Sequence, residues 1–515
     1  MGYVVGISSG GFSFAGKGEK ETYLTVPRKI FYGGTKGVNF TQLDLESITE
    51  FVEPHLEEGV KKIRELGMRF GVHGESYAVG GRVKPLCLLD SAIQPNYVHA
   101  HQRLIDHIKG CGKIGAEYLV IHISENTPWI SMVTEFSPTK LVDPWGRPLS
   151  EFLKENPNVK KWLMDAEFVW EYLRENPSLI KQRYLFQLRE AYIRTHKKEP
   201  EGKDLENLEK QAEKMVENLF DNKISMWDLA YGSETVAYYA VAKWMMETGH
   251  ELWNDIVGKK LSDEELVSAA PDPNRSWVPA VAGLYFLGHL EPKGMESPKK
   301  LLEKYKLYLL MEPPMAGPGM EGHMRISNPL HMIYVAKAAK SKWVGVVLDP
   351  EHILGNNLDP MEVVDSIPDG CGRLVKVVHL GYPTPHQPAH MGIPLGSKAQ
   401  EYLYRFLFKL RQKGFRDGYL IFERADETEI KQSITAIKKI AEYLEKDVPP
   451  EKLPPEFYGI SFGNEEYARQ LTIVRERAFD PLKGMLQVPE EEHTFLGSAA
   501  VEKHKLEEWR KERYR

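Results

Sequence analysis

The chain has 515 residues, of which 42% are hydrophobic and 27% are charged, with a formal net charge of -6. This composition is that of a globular protein with a large core, and it argues against a whole-molecule electrostatic grip on nucleic acid, which requires clustered Lys and Arg. The three cysteines, Cys87, Cys111 and Cys371, form no CxxC pair, so they indicate neither a disulfide framework nor a thiolate zinc site. Because the sequence shows no signal peptide and no apolar stretch of about 18 residues, we expect a cytoplasmic protein that does not span a membrane.

Short apolar runs alternate along the chain with longer segments of helical periodicity. In chain order, the predicted strands are Tyr3–Ser8, Gly37–Leu45, Met68–His73, Tyr118–Ser124, Leu307–Glu312, Val344–Asp349, Leu374–Leu380 and Tyr419–Glu423. The predicted helices between them include Thr49–Leu66, Tyr97–Gly115, Pro329–Ala339, Ala399–Gly414 and Thr428–Leu444. Buried parallel strands that alternate with amphipathic helices predict an α/β protein, a (β/α)8 TIM barrel.

One interval, between the fourth and fifth predicted strands, is long, aromatic and helix-forming. We therefore predict a barrel made of residues 1–125 and 307–445, a mostly helical insertion at 126–306, and a C-terminal extension at 446–515 with a Pro-rich beginning that wraps the barrel. Because the insertion follows a strand, it should rise from the catalytic face as a lid or substrate platform. An oligomerisation module is an equally good interpretation of the same segment.

Polar residues stand at or just past the carboxyl ends of six successive predicted strands, where barrel enzymes place their active sites. Imidazole and carboxylate groups are ligands for Zn, Mn, Fe or Co, and one carboxylate can join two ions. Several carboxylates in one cleft would repel one another without cations, so the pattern predicts a metal cluster. The predicted ligands are His73, His122, Glu312, Asp349, His352, His379 and Glu423.

The order of these residues resembles that in endonuclease IV (AP endonuclease family 2) and related xylose isomerase-like TIM barrels. Its most specific parts are the D-x-x-H step after the sixth strand and the E-x-x-x-A-G step after the fifth. The resemblance spans the barrel strands but not the insertion or the C-terminal tail. It rests on the motifs GVHGESY, LVIHIS, LLMEPPMAGPGM, VVLDPEHILG, VVHLGY and LIFERAD.

The resemblance implies two metal sites that share Glu312. The first would use His73, His122 and Glu312, and the second would use Glu312, Asp349, His379 and Glu423. A third ion would lie on His352, for which the loop PHQPAHMG offers His386 and His390 in place of the family's Asp-x-His pair. The alternative for His386 and His390 is a pair of exposed loop histidines.

Other departures concern the substrate. The second strand ends in QLDLES and lacks the N-P-R-type loop with which endonuclease IV inserts an arginine into DNA. Tyr77 stands near the position of a family tyrosine at a different offset. Glu75 and Glu125 are candidates for binding a hydroxyl or acting as bases, although surface carboxylates are common. A basic groove lined by Arg82 or Lys84 would favour a polyanionic substrate, whereas a deep closed pocket would favour a sugar.

The first functional hypothesis is a divalent-metal-dependent hydrolase of endonuclease IV type, which cleaves a phosphodiester of abasic or damaged DNA with a metal-activated water. Glu312, Asp349 and Glu423 would be its catalytic residues. We expect two or three ions, with zinc favoured over Mn, Fe, Co or Mg. The alternatives are a metal-dependent sugar or sugar phosphate isomerase or epimerase on the same barrel, and a non-catalytic metal-binding or ligand-binding scaffold that works through the helical insertion.

Overall fold

The computed structural model describes residues 2–10, 25–45, 47–76, 84–124, 141–165, 177–221, 234–268, 277–316, 324–382, 391–423 and 427–460. Within these residues, parallel strands close into a barrel in chain order, with β8 paired to β1. The strands are β1 Tyr3–Ser8, β2 Phe40–Asp44, β3 Arg69–His73, β4 Tyr118–Ile121, β5 Tyr308–Met311, β6 Val344–Leu348, β7 Val375–Leu380 and β8 Gly418–Phe422. The predicted (β/α)8 barrel is therefore confirmed.

Helices follow the strands and cover the outside of the barrel. Those outside the β4–β5 connection are Val26–Thr35, Leu56–Glu65, Gln94–Ile114, Pro329–Ala338, Pro350–Gly355, Pro360–Ser366, Lys398–Gln412 and Glu427–Glu445. Short 3-10 helices lie at Ile48–Val52, Pro85–Cys87, Cys371–Leu374, Pro450–Lys452 and Pro455–Tyr458.

Several predicted elements differ in their limits from the observed ones, and two of these differences have a backbone cause. The predicted strand from Gly37 begins only at Phe40, because Gly37 adopts a turn conformation with φ of 80°. The predicted helix Thr49–Leu66 is divided into a 3-10 helix and an α-helix, because His55 between them has φ of 60°.

The interior of the barrel is filled by one residue set, and the space between strands and helices is filled by another. The interior set is Phe40, Tyr118, Val120, Leu310, Val347, Val377 and Ile421. Gly71 on β3 makes room for the largest of these, since a Cβ atom there would lie 2.2 Å from the ring of Tyr118. The interior is therefore a packed core, and the polar mouth lies directly above it.

The described parts of the β4–β5 connection are mostly helical. Its helices are Leu149–Glu155, Pro157–Asp165, Pro177–His196, Lys203–Asp221, Glu234–Thr248, Glu251–Ile256, Asp263–Ser268, Val278–Leu290 and Pro298–Tyr305. Val278–Leu290 packs against the barrel helix Pro329–Ala338, as the close approach of Gly283 to Val335 shows. This helix of the connection therefore packs directly on the outer layer of the barrel.

The Pro-rich segment after the last α-helix lies against the outer helices of the barrel. Phe457 is fully buried and packs edge-on against Tyr404 and Tyr443. Gln400 donates a hydrogen bond of 3.0 Å to the carbonyl oxygen of Phe457. In the part of the chain that the structure describes, no helix combines the length and the apolar character that crossing a bilayer requires.

Candidate metal centre

The polar mouth arises because the inward-facing rows of the strands continue past the apolar core. Side chains on a strand alternate between two faces, so a residue two positions beyond an interior residue also faces inward. Five strands follow this rule, with interior residues Val120, Leu310, Val347, Val377 and Ile421. Two positions after them come His122, Glu312, Asp349, His379 and Glu423.

The carboxylate of Glu312 lies at the centre of the cluster, and its two oxygens face different imidazoles. Oε2 lies 2.9 Å from Nε2 of His73 and 3.3 Å from Nε2 of His122. Oε1 lies 2.6 Å from Nδ1 of His379 and 3.5 Å from Nδ1 of His352. Glu312 is fully buried. One carboxylate thus joins two separate groups of potential ligands.

Three groups of side chains in the described residues could each hold a metal ion, because the ligand atoms of a group lie within 4.8 Å of one another. The first two groups share Glu312, and the last two share Asp349. The groups are His73, His122 and Glu312; Glu312, Asp349 and His352; and Asp349, His379 and Glu423. The structure therefore brings together all seven strand-end residues that the sequence singled out.

The protons of two imidazoles are committed to backbone carbonyls outside the cluster. Nδ1 of His73 lies 2.9 Å from the carbonyl oxygen of Gly74, and Nδ1 of His352 lies 2.9 Å from that of Pro313. Because a carbonyl oxygen only accepts, these Nδ1 atoms carry protons. Nε2 is then a lone pair that can bind an ion when the ring is neutral, and it carries a second proton when the ring is charged. Histidines that bind metals are held in the same way by a second partner.

In His379 the two ring nitrogens have the opposite roles: Nε2 contacts a partner outside the three groups, and Nδ1 faces the cluster. Its Nε2 lies 2.9 Å from Oε1 of Gln42. Its Nδ1 lies 2.6 Å from Glu312, 3.4 Å from Glu423 and 3.8 Å from Asp349. A lone pair that faces carboxylate oxygens is repelled unless a proton or a cation lies between them. This mixed set of imidazole and carboxylate donors fits a divalent ion such as Zn or Mn.

The charges of the cluster shift the pKa values of its members. Burial lowers the pKa of His379, but the negative charges of Glu312 and Glu423 outweigh it and raise the pKa to about 9. Burial likewise opposes ionisation of Glu312, but the charge of His379 and hydrogen bonds from His122 and His73 hold its pKa well below the usual range. Glu312 is therefore ionised, which is the state in which a carboxylate binds a metal.

Two polar residues of the mouth, Gln42 and Asp44, were missed in the sequence analysis. Both lie on β2 at alternate positions from the interior residue Phe40, and this alternation was the signal that could have identified them. Gln42 is fully buried. Asp44 accepts a hydrogen bond of 2.5 Å from Ser8, and its Oδ1 is buried with no hydrogen-bond partner among the described residues. Burial raises the pKa of Asp44.

Other candidates lie elsewhere or outside the described residues. Glu75 turns away from the cluster, with its oxygens 3.4 Å from Nε of Arg103 and 3.9 Å from Nζ of Lys84. Its contacts are those of a structural ion pair rather than of a base. Five of the residues discussed in the sequence analysis lie outside the described part of the chain: Tyr77, Arg82, Glu125, His386 and His390.

A buried ionic network joins the helices of the β4–β5 connection to the mouth. Nη2 of Arg325 lies 2.6 Å from Glu234, the first residue of its helix, and Nε lies 3.7 Å from Asp90. Ser124, two residues after His122, donates a hydrogen bond of 2.5 Å to Asp90. The network therefore couples the helical connection to the segment that carries His122.

No family model and no curated protein matches the sequence. Solved structures do match. A D-tagatose 3-epimerase-like protein is 11% identical, with a TM-score of 0.41 over 87% of this chain and 100% of its own. L-ribulose 3-epimerase is 9% identical, with a TM-score of 0.40 over 86% and 96% of the two chains. Endonuclease IV from Thermus thermophilus is 13% identical, with a TM-score of 0.35 over 86% and 100%.

A fusion protein that contains a xylose isomerase-like TIM barrel is 11% identical, with a TM-score of 0.37 over 87% of this chain and 43% of its own. At these identities the likeness concerns the fold alone. The chemistry is therefore argued below from the residues of the mouth.

Proposed function

We propose that this chain is a divalent-metal-dependent hydrolase that cleaves a phosphodiester with a metal-activated water. The observation that supports this proposal is that the two oxygens of the Glu312 carboxylate face different histidines. Oε2 faces His73 and His122, and Oε1 faces His379. A single ion would need only one of these groups. Glu312 is placed to join two, and paired ions are typical of enzymes that hydrolyse phosphate esters.

The proposed ligands divide between two ions and a third position. His73, His122 and Glu312 would hold the first ion, in a group whose members are all buried. Glu312 would also serve the second ion, together with the group Asp349, His379 and Glu423. His352, with its Nδ1 held by the carbonyl of Pro313, is the described candidate for a third.

Bound divalent ions would activate a water molecule and stabilise negative charge on the attacking and leaving oxygens. The protein's own residues hold these ligands in place and exclude bulk water. Asp349 is fixed by backbone N–H donors from Glu351 at 2.7 Å and His352 at 3.1 Å, so one of its oxygens is held and the other faces the cluster. Glu423 is partly exposed at 15%, the highest value in its group, and is therefore the member that solvent and substrate can reach most easily.

A second candidate function is a metal-dependent sugar isomerase or epimerase, and Asp44 favours it. When ionised, the carboxylate of Asp44 adds negative charge beside His73 and Glu423 and can only accept hydrogen bonds. Such a group would repel a phosphodiester but would accept hydrogen bonds from sugar hydroxyls. In this case, Glu312 and Glu423 would bind the metal or transfer a proton.

Metal analysis combined with two substrate panels separates these functions. We expect purified protein to contain two or more divalent ions per chain and to cleave duplex DNA with an abasic site or simple phosphodiesters. Bound metal with turnover of ketoses alone would support the isomerase and exclude the hydrolase. Bound metal with turnover of neither panel would leave the non-catalytic scaffold as the remaining hypothesis.

A further inference from the structure

Gln42 lies directly beneath the metal cluster and makes three hydrogen bonds. Its side chain is fully buried on β2. Its Oε1 lies 2.9 Å from Nε2 of His379 and 3.1 Å from the hydroxyl of Tyr118, and its Nε2 lies 3.1 Å from Oε1 of Glu423. The amide thus contacts two proposed ligands of one ion and a residue of the barrel interior.

The orientation of the Gln42 amide follows from its partners. An ionised carboxylate only accepts, so the atom that faces Glu423 is the amide NH2 group, and Oε1 faces Tyr118 and His379. Burial raises the pKa of Tyr118 well above its usual value, so the phenol keeps its proton and donates it. The second lone pair of Oε1 then accepts from His379, which places a proton on Nε2 of that ring.

We propose that Gln42 is a positioning residue of the metal centre: it fixes His379 as an Nδ1 ligand and holds Glu423 toward the same ion. This inference rests on the metal sites of the proposed function, but it applies equally to a hydrolase and to an isomerase. Gln42 itself contacts no substrate. It acts through the two ligands that it orients, as the second partners of metal-bound histidines do.

Glutamine suits this positioning role better than glutamate or methionine, the side chains of similar size. A glutamate at position 42 would accept from His379 and Tyr118 but would repel Glu423. A methionine would fill the same space but would remove one hydrogen-bond partner each from His379, Tyr118 and Glu423, which destabilises the cluster. The neutral amide is the side chain of this length that both donates and accepts, and it adds no charge to the cluster.

The test measures metal binding and the protonation of the His379 ring in Gln42→Met and Gln42→Glu. Calorimetric titration of chelator-treated protein with Zn²⁺ gives the affinities of the two proposed sites. We expect Gln42→Met to weaken one site by about 10- to 100-fold and to leave the site formed by His73 and His122 unchanged. Gln42→Glu should weaken the same site, because the new carboxylate at position 42 repels the carboxylate of Glu423 and moves it away from the ion.

A matched control is Gln400→Met. Gln400 is also fully buried and bonds through both amide atoms, to Gly396 and Phe457, but it lies away from the mouth. We expect it to lower thermal stability to a similar extent without changing either Zn²⁺ affinity. A general effect of losing a buried amide would change zinc binding in both variants and would overturn the inference.

NMR of chelator-treated protein with labelled histidine rings separates failure of this inference from failure of the proposed function. Its readout is the hydrogen bond from the Nε2–H group of His379 to Gln42, seen as a ring N–H proton that is protected from exchange with solvent. We expect this proton in the wild type and its loss in Gln42→Met, because a thioether is only a weak acceptor. If the wild type binds no Zn²⁺, the proposed function fails, while the Nε2–H proton still decides the role of Gln42. An unchanged Nε2–H signal in Gln42→Met together with unchanged affinities would overturn that role, and Gln42→Glu supplies the affinity readout if Gln42→Met does not fold.

Discussion

Nδ1 of His379 lies 2.6 Å from Oε1 of Glu312, and both side chains are fully excluded from solvent. These residues stand on β7 and after β5, so they meet across the mouth rather than along neighbouring strands. An imidazole nitrogen and a carboxylate oxygen at this distance need a shared proton or a cation between them. The same contact therefore supports both a metal site and strong competition between metal and proton.

The bridging role of Glu312 predicts the result of Glu312→Gln. The amide keeps the size of the side chain but replaces one of the two oxygens with an NH2 group, which cannot bind a cation. We expect activity to be lost and the metal content to fall by at least one ion, while circular dichroism shows a folded barrel. The exposed Glu303→Gln on helix Pro298–Tyr305 is the control. Unchanged metal stoichiometry in Glu312→Gln would contradict the bridge.

The raised pKa of His379 predicts that protons and metal compete. With a pKa of about 9, this imidazole is protonated at neutral pH after chelation, so an ion must displace the proton. We expect apparent metal affinity to rise about tenfold per pH unit for each proton displaced, from about pH 6.5 to 9, and then to level off. Calorimetry in buffers of different ionisation enthalpy measures the released protons, and a flat profile over this range would contradict the prediction.

The raised pKa of His379 also predicts how the stability of the chelated protein depends on pH. Because the folded pKa lies above the ordinary value, the stabilisation from the charged pair of His379 and Glu312 is complete below about pH 6.5. It is lost as the pH rises through about 9. Denaturant unfolding of the chelated protein should therefore show stability that decreases over this interval.

Asp44→Asn distinguishes the two proposed reactions. The substitution removes a negative charge beside the cluster but keeps a hydrogen-bonding side chain, so it should favour anions and disfavour hydroxyl donors. In a hydrolase, we expect kcat/KM for a phosphodiester to rise by up to about tenfold. A loss of about tenfold or more in ketose turnover would instead support the isomerase. The control is Asp369→Asn, whose side chain is 93% exposed and stands before the amino end of β7 rather than at the mouth.

His331 predicts a loss of stability in mild acid. Burial lowers its pKa to about 4, and its Nδ1 has no hydrogen-bond partner within the described ranges. Since the unfolded chain binds the proton at a higher pH, stability from the neutral ring is present above about pH 6.5 and is lost as the pH falls to about 4. At about pH 5, His331→Leu should recover about 2 kcal/mol relative to its effect at about pH 7, measured by urea unfolding. The exposed His99→Leu should show no such difference.

The buried position of Arg325 predicts that its ion pair contributes to the free energy of unfolding by holding the helical connection. Arg325 is 3% exposed and pairs with Glu234, so Arg325→Met leaves a buried carboxylate without its cation. We expect a loss of about 3–5 kcal/mol in the free energy of unfolding. Adding Glu234→Gln should recover part of the loss, because the uncompensated charge is then removed. Equal stability of Arg325→Met and of the double variant with Glu234→Gln would show that the ion pair does not hold the helices.

The sequence alone determined the fold and which polar residues stand at the strand ends. A barrel strand is read locally, as a short apolar run, and its last residue is polar because it leaves the core for the mouth. His122 in LVIHIS and Asp349 in VVLDPEH could therefore be assigned to the mouth without coordinates. The structure changed only the limits of elements, where residues such as Gly37 and His55 turn the backbone.

The tertiary structure decided what these residues do to one another. The division of the Glu312 oxygens depends on the inclination and closure of strands that are far apart in the chain, and no local pattern encodes it. Gln42 in NFTQLD has no sequence signal of its own, because an amide gains its role only from the partners that the fold places around it. Sequence sets which groups face the mouth, whereas closure of the barrel sets the distances, burial and charges that turn them into a candidate metal centre.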